Sequence, residues 1–181
     1  MTALIAAASI AVLLLSGRKR AFDSLRAASR IPPQQEYSPG PDPDTHPSFM
    51  EMGDPRADDC IVRDVSPTIE GAGWRWTHLD PTLRFYLKRT EHRVFMMDFT
   101  IVAMAFQQTG PVTLSCYIND KLLAKVNCSR PGDYHLKRPV PASWLHTGDP
   151  NYVRAVLDKV WTAPADGARL GYVLLRAGFP D

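Results

Sequence analysis

The sequence predicts an all-β protein, a single antiparallel β-sandwich with about nine strands, preceded by one N-terminal membrane-anchoring helix. Short runs of alternating apolar and polar residues, with turn residues at regular spacing between them, predict the sandwich. An apolar N-terminal run followed by a proline-rich stretch predicts the helix and a linker. We divide the chain into an anchor with its basic flank (1–30), a linker (31–57) and a sandwich domain (58–181).

The clearest strand pattern lies between residues 110 and 140. One apolar face consists of Val112, Leu114, Cys116 and Ile118, and a second consists of Leu122, Ala124, Val126 and Cys128. Keeping the two apolar faces together requires a three-residue loop, Asn119 to Lys121, which sets Cys116 against Ala124 and Cys128 against Val112. That register predicts buried free thiols. We expect Tyr134 to Arg138 to follow as a third strand of the same sheet.

The other strands are shorter and separated by turn residues. The first is Cys60 to Val65, and the second is Gly73 to His78, which ends at an Asp80-Pro81 turn. Three further apolar faces are predicted to point inward: Leu83, Phe85 and Leu87; Phe95, Met97, Phe99 and Ile101; and Val153, Ala155 and Leu157. Ala103 to Gly110 is predicted as one helical turn. The last strand, through Leu170, Tyr172 and Leu174, is apolar on both faces and therefore predicted to be central.

Thr2 to Leu15 is almost wholly apolar and is followed by Gly17 and three basic residues. A short membrane-spanning helix over residues 2–17 fits this pattern. A cleaved secretory signal and a buried helix of the domain are the alternatives, but the basic residues follow the apolar run instead of preceding it. The prediction is a single-pass membrane protein, and the positive-inside rule favours a cytoplasmic domain.

Composition excludes several classes of function. The net charge is only +2, and no basic block is interleaved with aromatic residues, so nucleic-acid binding is not expected. Residues 31–57 are rich in proline, which favours an extended spacer. None of the five histidines has a second ligand at a zinc-like spacing, and no serine lies in a GxSxG motif. We therefore expect no catalytic residue, no metal site, no cofactor and no enzymatic activity.

The order of the segments GWRWT, TGPVTLSCYIND, PVPASWL and KVWTAPADGARLGYVLLRAGF resembles a bacterial family of jelly-roll-like β-sandwich domains. Those domains occur alone or appended to glycosyltransferases and methyltransferases. The resemblance spans Cys60 to Phe179 and implies a jelly-roll-like sandwich of carbohydrate-binding appearance. The family's pattern supplies no catalytic set to transfer to this chain.

Aromatic residues supply the candidate ligand-binding site. Trp74 and Trp76 share one face of a strand, and their rings suit the stacking of sugars, although packing in the core is the commoner role of tryptophan. Arg75 between them, with Arg84 and Tyr86 on the next predicted strand, would then extend an exposed surface. We expect a non-catalytic, membrane-anchored recognition module that binds an envelope glycan or a protein partner.

The alternative function is that of a structural accessory subunit of a membrane protein complex. Ala3, Ala7 and Ala11 recur at a spacing that allows close helix approach, and an integral membrane protein would be the partner.

Overall fold

Residues 46–180 are described by the computed structural model. They form eleven β-strands, one α-helix and two 3-10 helices. The strands are β1 (Phe49–Glu51), β2 (Ile61–Val65), β3 (Arg75–Tyr86), β4 (Val94–Ile101), β5 (Val112–Ile118), β6 (Lys121–Cys128), β7 (Gly132–Pro139), β8 (Pro150–Leu157), β9 (Trp161–Thr162), β10 (Arg169–Leu170) and β11 (Val173–Gly178). The α-helix is α1 (Ala103–Thr109), and the 3-10 helices are Pro55–Cys60 and Ala142–Trp144.

Nine of the eleven strands form two antiparallel sheets that are joined through β3, and β9 and β10 form a separate two-stranded sheet. The β8 sheet has the order β2-β3-β8-β5-β6, and the β11 sheet has the order β1-β11-β4-β7. The chain passes between the two sheets several times, through the connections β3–β4, β4–β5, β6–β7 and β7–β8. The first two residues of β3, Arg75 and Trp76, pair with β11 before the strand continues into the β8 sheet. The predicted antiparallel sandwich is confirmed.

The core lies between the sheets, and the three predicted inward faces are buried there as expected. Each alternates with residues that face outward, because successive side chains of a strand point to opposite sides. Val173 and Leu174 pair with β4 on one side and with β3 on the other, so the last strand is central, as predicted.

The hairpin between β5 and β6 corrects the predicted loop length. Asn119 and Asp120 form a two-residue turn, and both have positive φ (46° and 63°), as a tight hairpin turn requires. Ile118 therefore pairs with Lys121, and a register shift between Cys116 and Tyr117 restores the expected pairs, Cys116 with Ala124 and Val112 with Cys128. The predicted three-residue loop was wrong, but the predicted cysteine register and the free, buried thiols are confirmed.

Two further predictions fail on strand connectivity. The strand after β6 does not extend the same sheet: β7 pairs with β4 along its whole length. The predicted turn at Asp80-Pro81 is an irregular stretch inside the single strand β3, where β2 shifts register. Proline is tolerated there because it removes no regular ladder bond.

The N-terminal edge of the domain lies before the predicted boundary at residue 58. Phe49–Glu51 pairs with Arg176–Gly178 of β11, and Met50, Met52 and Ala57 are buried in the main core. The predicted linker thus ends before Phe49. The anchor predicted over residues 2–17 and most of the linker lie outside the described residues. Among residues 46–180, no helix has the length and apolar character needed to cross a bilayer.

Candidate functional site

The structure separates the five residues predicted to bind ligand. Arg75 was predicted to be exposed, but it is only 1% exposed and points into the protein. Its guanidinium donates to the carbonyl oxygens of Met52, Ser66 and Pro67 and to the carboxylate of Asp58. A ligand therefore cannot reach Arg75, and the prediction that it belongs to an exposed surface was wrong.

Trp74, which directly precedes β3, and Trp76 within β3 flank Arg75 in the sequence and are half-buried. Their rings pack edge to face with centroids 5.9 Å apart, and the ring of Trp161 lies 6.3 Å from that of Trp76. Trp161 in turn belongs to a small apolar cluster that includes Ala105 of α1. The three tryptophans thus pack largely against one another and the neighbouring elements.

Arg84 and Tyr86 lie on the outer face of the β8 sheet. Arg84 is 8% exposed, and its Nε donates to the carbonyl oxygen of Asp59 at 3.1 Å. Tyr86 is half-buried and stacks on His46 with ring centroids 4.7 Å apart. The structure therefore brings Arg84 and Tyr86 to one face, but it does not bring them together with the tryptophan pair.

A groove of about 620 Å³ lies on this outer face of the β8 sheet, and we call it the sheet groove. Its lining residues come from β2, β3, β8 and the turns beside β8: Arg63, Thr82, Asn119, Asp120, His146, Pro150, Tyr152 and Arg154. Strand register explains the grouping, because Arg63 pairs with Thr82, Thr82 with Arg154, and Arg154 with Tyr117. Residues paired across neighbouring strands project from the same face of a sheet.

Two arginines in the sheet groove are held by one carboxylate. Arg63 Nη2 lies 2.5 Å from Asp80 Oδ2, and Arg154 Nη1 lies 3.4 Å from Asp80 Oδ1. The Arg154 guanidinium also lies over the ring of Tyr117, 4.6 Å from its centroid, in cation–π geometry. Arg154 Nε is buried and has no hydrogen-bond partner in the described part of the chain. These contacts orient both guanidinium groups, and because the two side chains are 46% and 35% exposed, their remaining terminal N–H groups can reach a ligand.

Tyr152 supplies the apolar surface of the sheet groove. Its side chain is 45% exposed, an unusual value for a large aromatic residue. Its backbone N–H donates to Asn119 Oδ1 at 2.8 Å, while its backbone carbonyl accepts from Asn119 N at 2.9 Å. The tyrosine is therefore positioned by its backbone, and its ring is left open to solvent.

Two side-chain amides, one fully buried and one half-buried, fix the turns beside the sheet groove. Asn151 is fully buried, and its side chain bonds to both the N–H and the carbonyl of His146 at 2.8 Å. Asn119 Nδ2 donates to the carbonyl of Trp144 at 2.7 Å and to Asn151 Oδ1 at 3.1 Å. The β5–β6 turn and the connection before β8 are thereby joined, so this end of the groove is preorganised.

The groove chemistry suits recognition of a polar ligand. Its lining offers guanidinium, hydroxyl and imidazole groups around one open aromatic ring. Within residues 46–180, no group of three or more histidine, cysteine or acidic residues is placed to hold a metal ion. No cysteine is among the described residues that line the groove, and burial raises the pKa of Cys60 and of Cys116 to about 12 and that of Cys128 to about 11.

Sequence reasoning missed Arg63, Tyr152 and Arg154. The alternation of β8 does carry a signal, because Tyr152 and Arg154 flank the inward residue Val153. The alternation does not show which strands lie next to each other in the sheet. Only the topology shows that β8 lies between β3 and β5, which places Arg154 next to both Thr82 and Tyr117.

No family model and no curated protein matches this sequence. Among solved structures, a family 35 carbohydrate-binding module from an environmental isolate is similar over 74% of this chain and 92% of its own, with 10% identity and a TM-score of 0.44. A family 35 module from Clostridium thermocellum is similar over 72% of this chain and 96% of its own, with 10% identity and a TM-score of 0.42. An acetyl xylan esterase from Butyrivibrio proteoclasticus is similar over 74% of this chain and 32% of its own, with 13% identity and a TM-score of 0.44. TM-scores this low fix neither the family nor the ligand of this chain.

Proposed function

We propose that this protein is a non-catalytic, membrane-anchored recognition module that binds a glycan in the sheet groove. The observation that carries the proposal is the open ring of Tyr152 beside two oriented arginines on one sheet face. A sugar ring packs its C–H groups on an aromatic face, and its hydroxyl groups hydrogen-bond with polar groups at the rim.

The charges of the sheet groove favour an uncharged glycan. Asp80 bonds to both Arg63 and Arg154, and Asp120 also lines the groove, so two carboxylates accompany the two guanidinium groups. An anionic ligand would compete with Asp80 for the same donors. A neutral sugar can instead accept from the remaining N–H groups without displacing the carboxylate.

The test is a glycan array probed with the full chain, followed by titration of the best neutral oligosaccharide. Tyr152→Ala should weaken binding about threefold to tenfold because the stacking surface is lost, whereas Tyr152→Phe should retain most of the affinity. Arg130→Ala, which removes an exposed arginine outside the groove, is the control. Unchanged binding by Tyr152→Ala would refute the assignment of this groove.

The accessory-subunit alternative depends on residues outside the described region. A chain that binds no glycan and co-purifies in fixed ratio with integral membrane proteins would favour that alternative over the glycan-binding module.

A further inference from the structure

The outer face of the β8 sheet continues beyond the sheet groove toward β6. Four register partners on β3, β8, β5 and β6 form one row across this face: Thr82, Arg154, Tyr117 and Leu122. Residues paired directly across neighbouring strands project from the same face of a sheet. The last two residues of the row, Tyr117 and Leu122, are therefore continuous with the groove, and we call them the β6 patch.

Leu122 presents an apolar side chain that the core does not use. It is 45% exposed although it lies within a strand, whereas the adjacent Leu123 packs against the core. Tyr152 is exposed to the same extent, so two of the five exposed large hydrophobic residues in the described structure lie on this face. Single exposed apolar residues are common, but two on one face beside a groove indicate a binding surface.

Tyr117 and Arg154 occupy the surface between the two exposed side chains. The ring of Tyr117 is half-buried, and the guanidinium of Arg154 lies over it, 4.6 Å from the ring centroid. Both groups are planar, so together they form a flat surface. Ser115 and Lys125, which pair with each other on the same face, add a hydroxyl and an ammonium group beside it. A sugar lying there would find a flat surface with hydrogen-bonding groups at its side.

The two exposed side chains are too far apart to contact one sugar ring. Strand β5 lies between β8 and β6, which places those strands about 10 Å apart, and Tyr152 is offset from the row by two residues, or about 7 Å. The Cα atoms of Tyr152 and Leu122 are therefore about 12 Å apart. A single pyranose ring is too small to touch both side chains, whereas successive rings of a linear chain can do so.

The surface is open where it ends at β6. This strand is the last of its sheet, and none of the described strands pairs with its outer side. An edge strand carries unpaired backbone N–H and C=O groups, and sugar hydroxyls can hydrogen-bond with them. A ligand that crosses the face can therefore continue past Leu122.

We infer that the ligand is a linear, neutral oligosaccharide that lies across the strands from Tyr152 to the β6 patch. The inference rests on the glycan binding proposed for the sheet groove, and it adds the β6 patch as a second contact. One sugar packs on the ring of Tyr152, and a later sugar of the same chain packs on Leu122. The affinity therefore grows with chain length until the ligand reaches the β6 patch.

The experiment uses the full chain in phosphatidylcholine nanodiscs, which carry no sugar. Calorimetry measures the binding of neutral linear chains of glucose, xylose or mannose units, from monomer to hexamer. Leu122→Ser should weaken binding of the hexamer about threefold to tenfold, because an apolar contact is lost, and should weaken binding of the shortest chain that binds by less.

Two further variants accompany Leu122→Ser. Leu122→Tyr keeps a large apolar side chain at the same position, so it should retain most of the hexamer affinity. Ile69→Ser is the matched control, because Ile69 is an exposed apolar residue of the β2–β3 connection that does not line the groove. Its hexamer affinity should change less than about twofold, since a distant surface substitution removes no contact with the ligand.

The outcomes separate the inference from the proposed function. If no glycan of the array and no chain of the series binds, the glycan-binding function fails and the inference fails with it. If glycans bind, three results overturn the inference alone: an affinity that does not rise with chain length, a hexamer affinity unchanged in Leu122→Ser, or equal losses in Leu122→Ser and Ile69→Ser.

Discussion

Arg75 shows how one side chain can join separate segments. It is among the largest fully buried side chains in the described structure. It donates to Met52 before the first 3-10 helix, to Asp58 within that helix, and to Ser66 and Pro67 after β2. A buried guanidinium is tolerated only when its donors are paired, and here carbonyl oxygens and a carboxylate provide that pairing.

Arg75→Ala should therefore lower the free energy of unfolding by about 3 kcal/mol or more, because several acceptors lose their donor and a cavity remains. Arg75→Lys should recover part of the loss, since an ammonium keeps the charge but not the fork of donors. Urea titration of both variants measures this. A loss below about 1 kcal/mol in Arg75→Ala would show that the buried network is not stabilising.

The three cysteines provide a second prediction about individual residues. Burial raises the pKa of each thiol far above neutrality, to about 12 for Cys60 and Cys116 and about 11 for Cys128. Because the thiolate is the reactive form, the native protein should react slowly with a disulfide reagent at pH 8, and all three thiols should react in denaturant. Rapid labelling of any thiol in the native protein would contradict the burial described.

At the scale of strands, one row of charges crosses the whole β11 sheet. Glu51 pairs with Arg176, Arg176 with Asp98, and Asp98 with His135, from β1 to β7. Arg176 bonds to both Glu51 and Asp98, and His135 Nδ1 lies 2.6 Å from Asp98 Oδ1. Opposite charges on directly paired positions stabilise neighbouring strands. This row joins β1, the strand that sequence reasoning assigned to the linker, to the rest of the sheet.

The row predicts a specific dependence on pH. Burial of Asp98 raises its pKa, but hydrogen bonds from His135 and Arg176 more than offset this, so the net pKa lies below its usual value. The folded state thus favours the carboxylate, and the resulting stabilisation is present above the ordinary aspartate pKa and lost as pH falls through the lowered one. Asp98→Asn should be less stable by about 1–2 kcal/mol at pH 7.

The measurement is urea unfolding of both proteins at pH 7 and at pH 2. The gap between wild type and Asp98→Asn should shrink in acid, because below the ordinary aspartate pKa the unfolded chain binds a proton that the folded carboxylate resists. A gap of equal size at the two pH values would mean that charge is not the cause.

At the scale of the molecule, the sequence predicted local structure better than it predicted neighbours. The alternation of Leu83, Phe85 and Leu87 identifies an inward face without any knowledge of the other strands. Nothing in Tyr134 to Arg138 indicates that this strand pairs with β4 instead of β6, because pairing depends on long-range packing. The same limit explains the error at Arg75. The alternation of residues 74–76 identified two faces. The size of the tryptophan rings suggested that their face is the buried one, but the side chain of Arg75 is the one that is fully buried.

Membrane attachment is the prediction that concerns the whole chain. Deleting residues 2–17 should move the protein from the membrane fraction to the soluble fraction, because it removes the apolar run that we propose as the anchor. Fractionation with alkaline washing measures this, and substitution of Arg18 to Arg20 by glutamine controls for loose electrostatic attachment. An unchanged distribution of the deletion variant would refute the anchor.

We expect the glycan to bind in the sheet groove and not at the tryptophan pair. Hydroxyl-radical footprinting with and without the bound oligosaccharide tests it directly, because all the aromatic rings concerned are reactive. Tyr152, 45% exposed, should be protected by the ligand, while oxidation of Trp74 and Trp76 should be unchanged. Protection of Trp74 and Trp76 with no change at Tyr152 would contradict the claim.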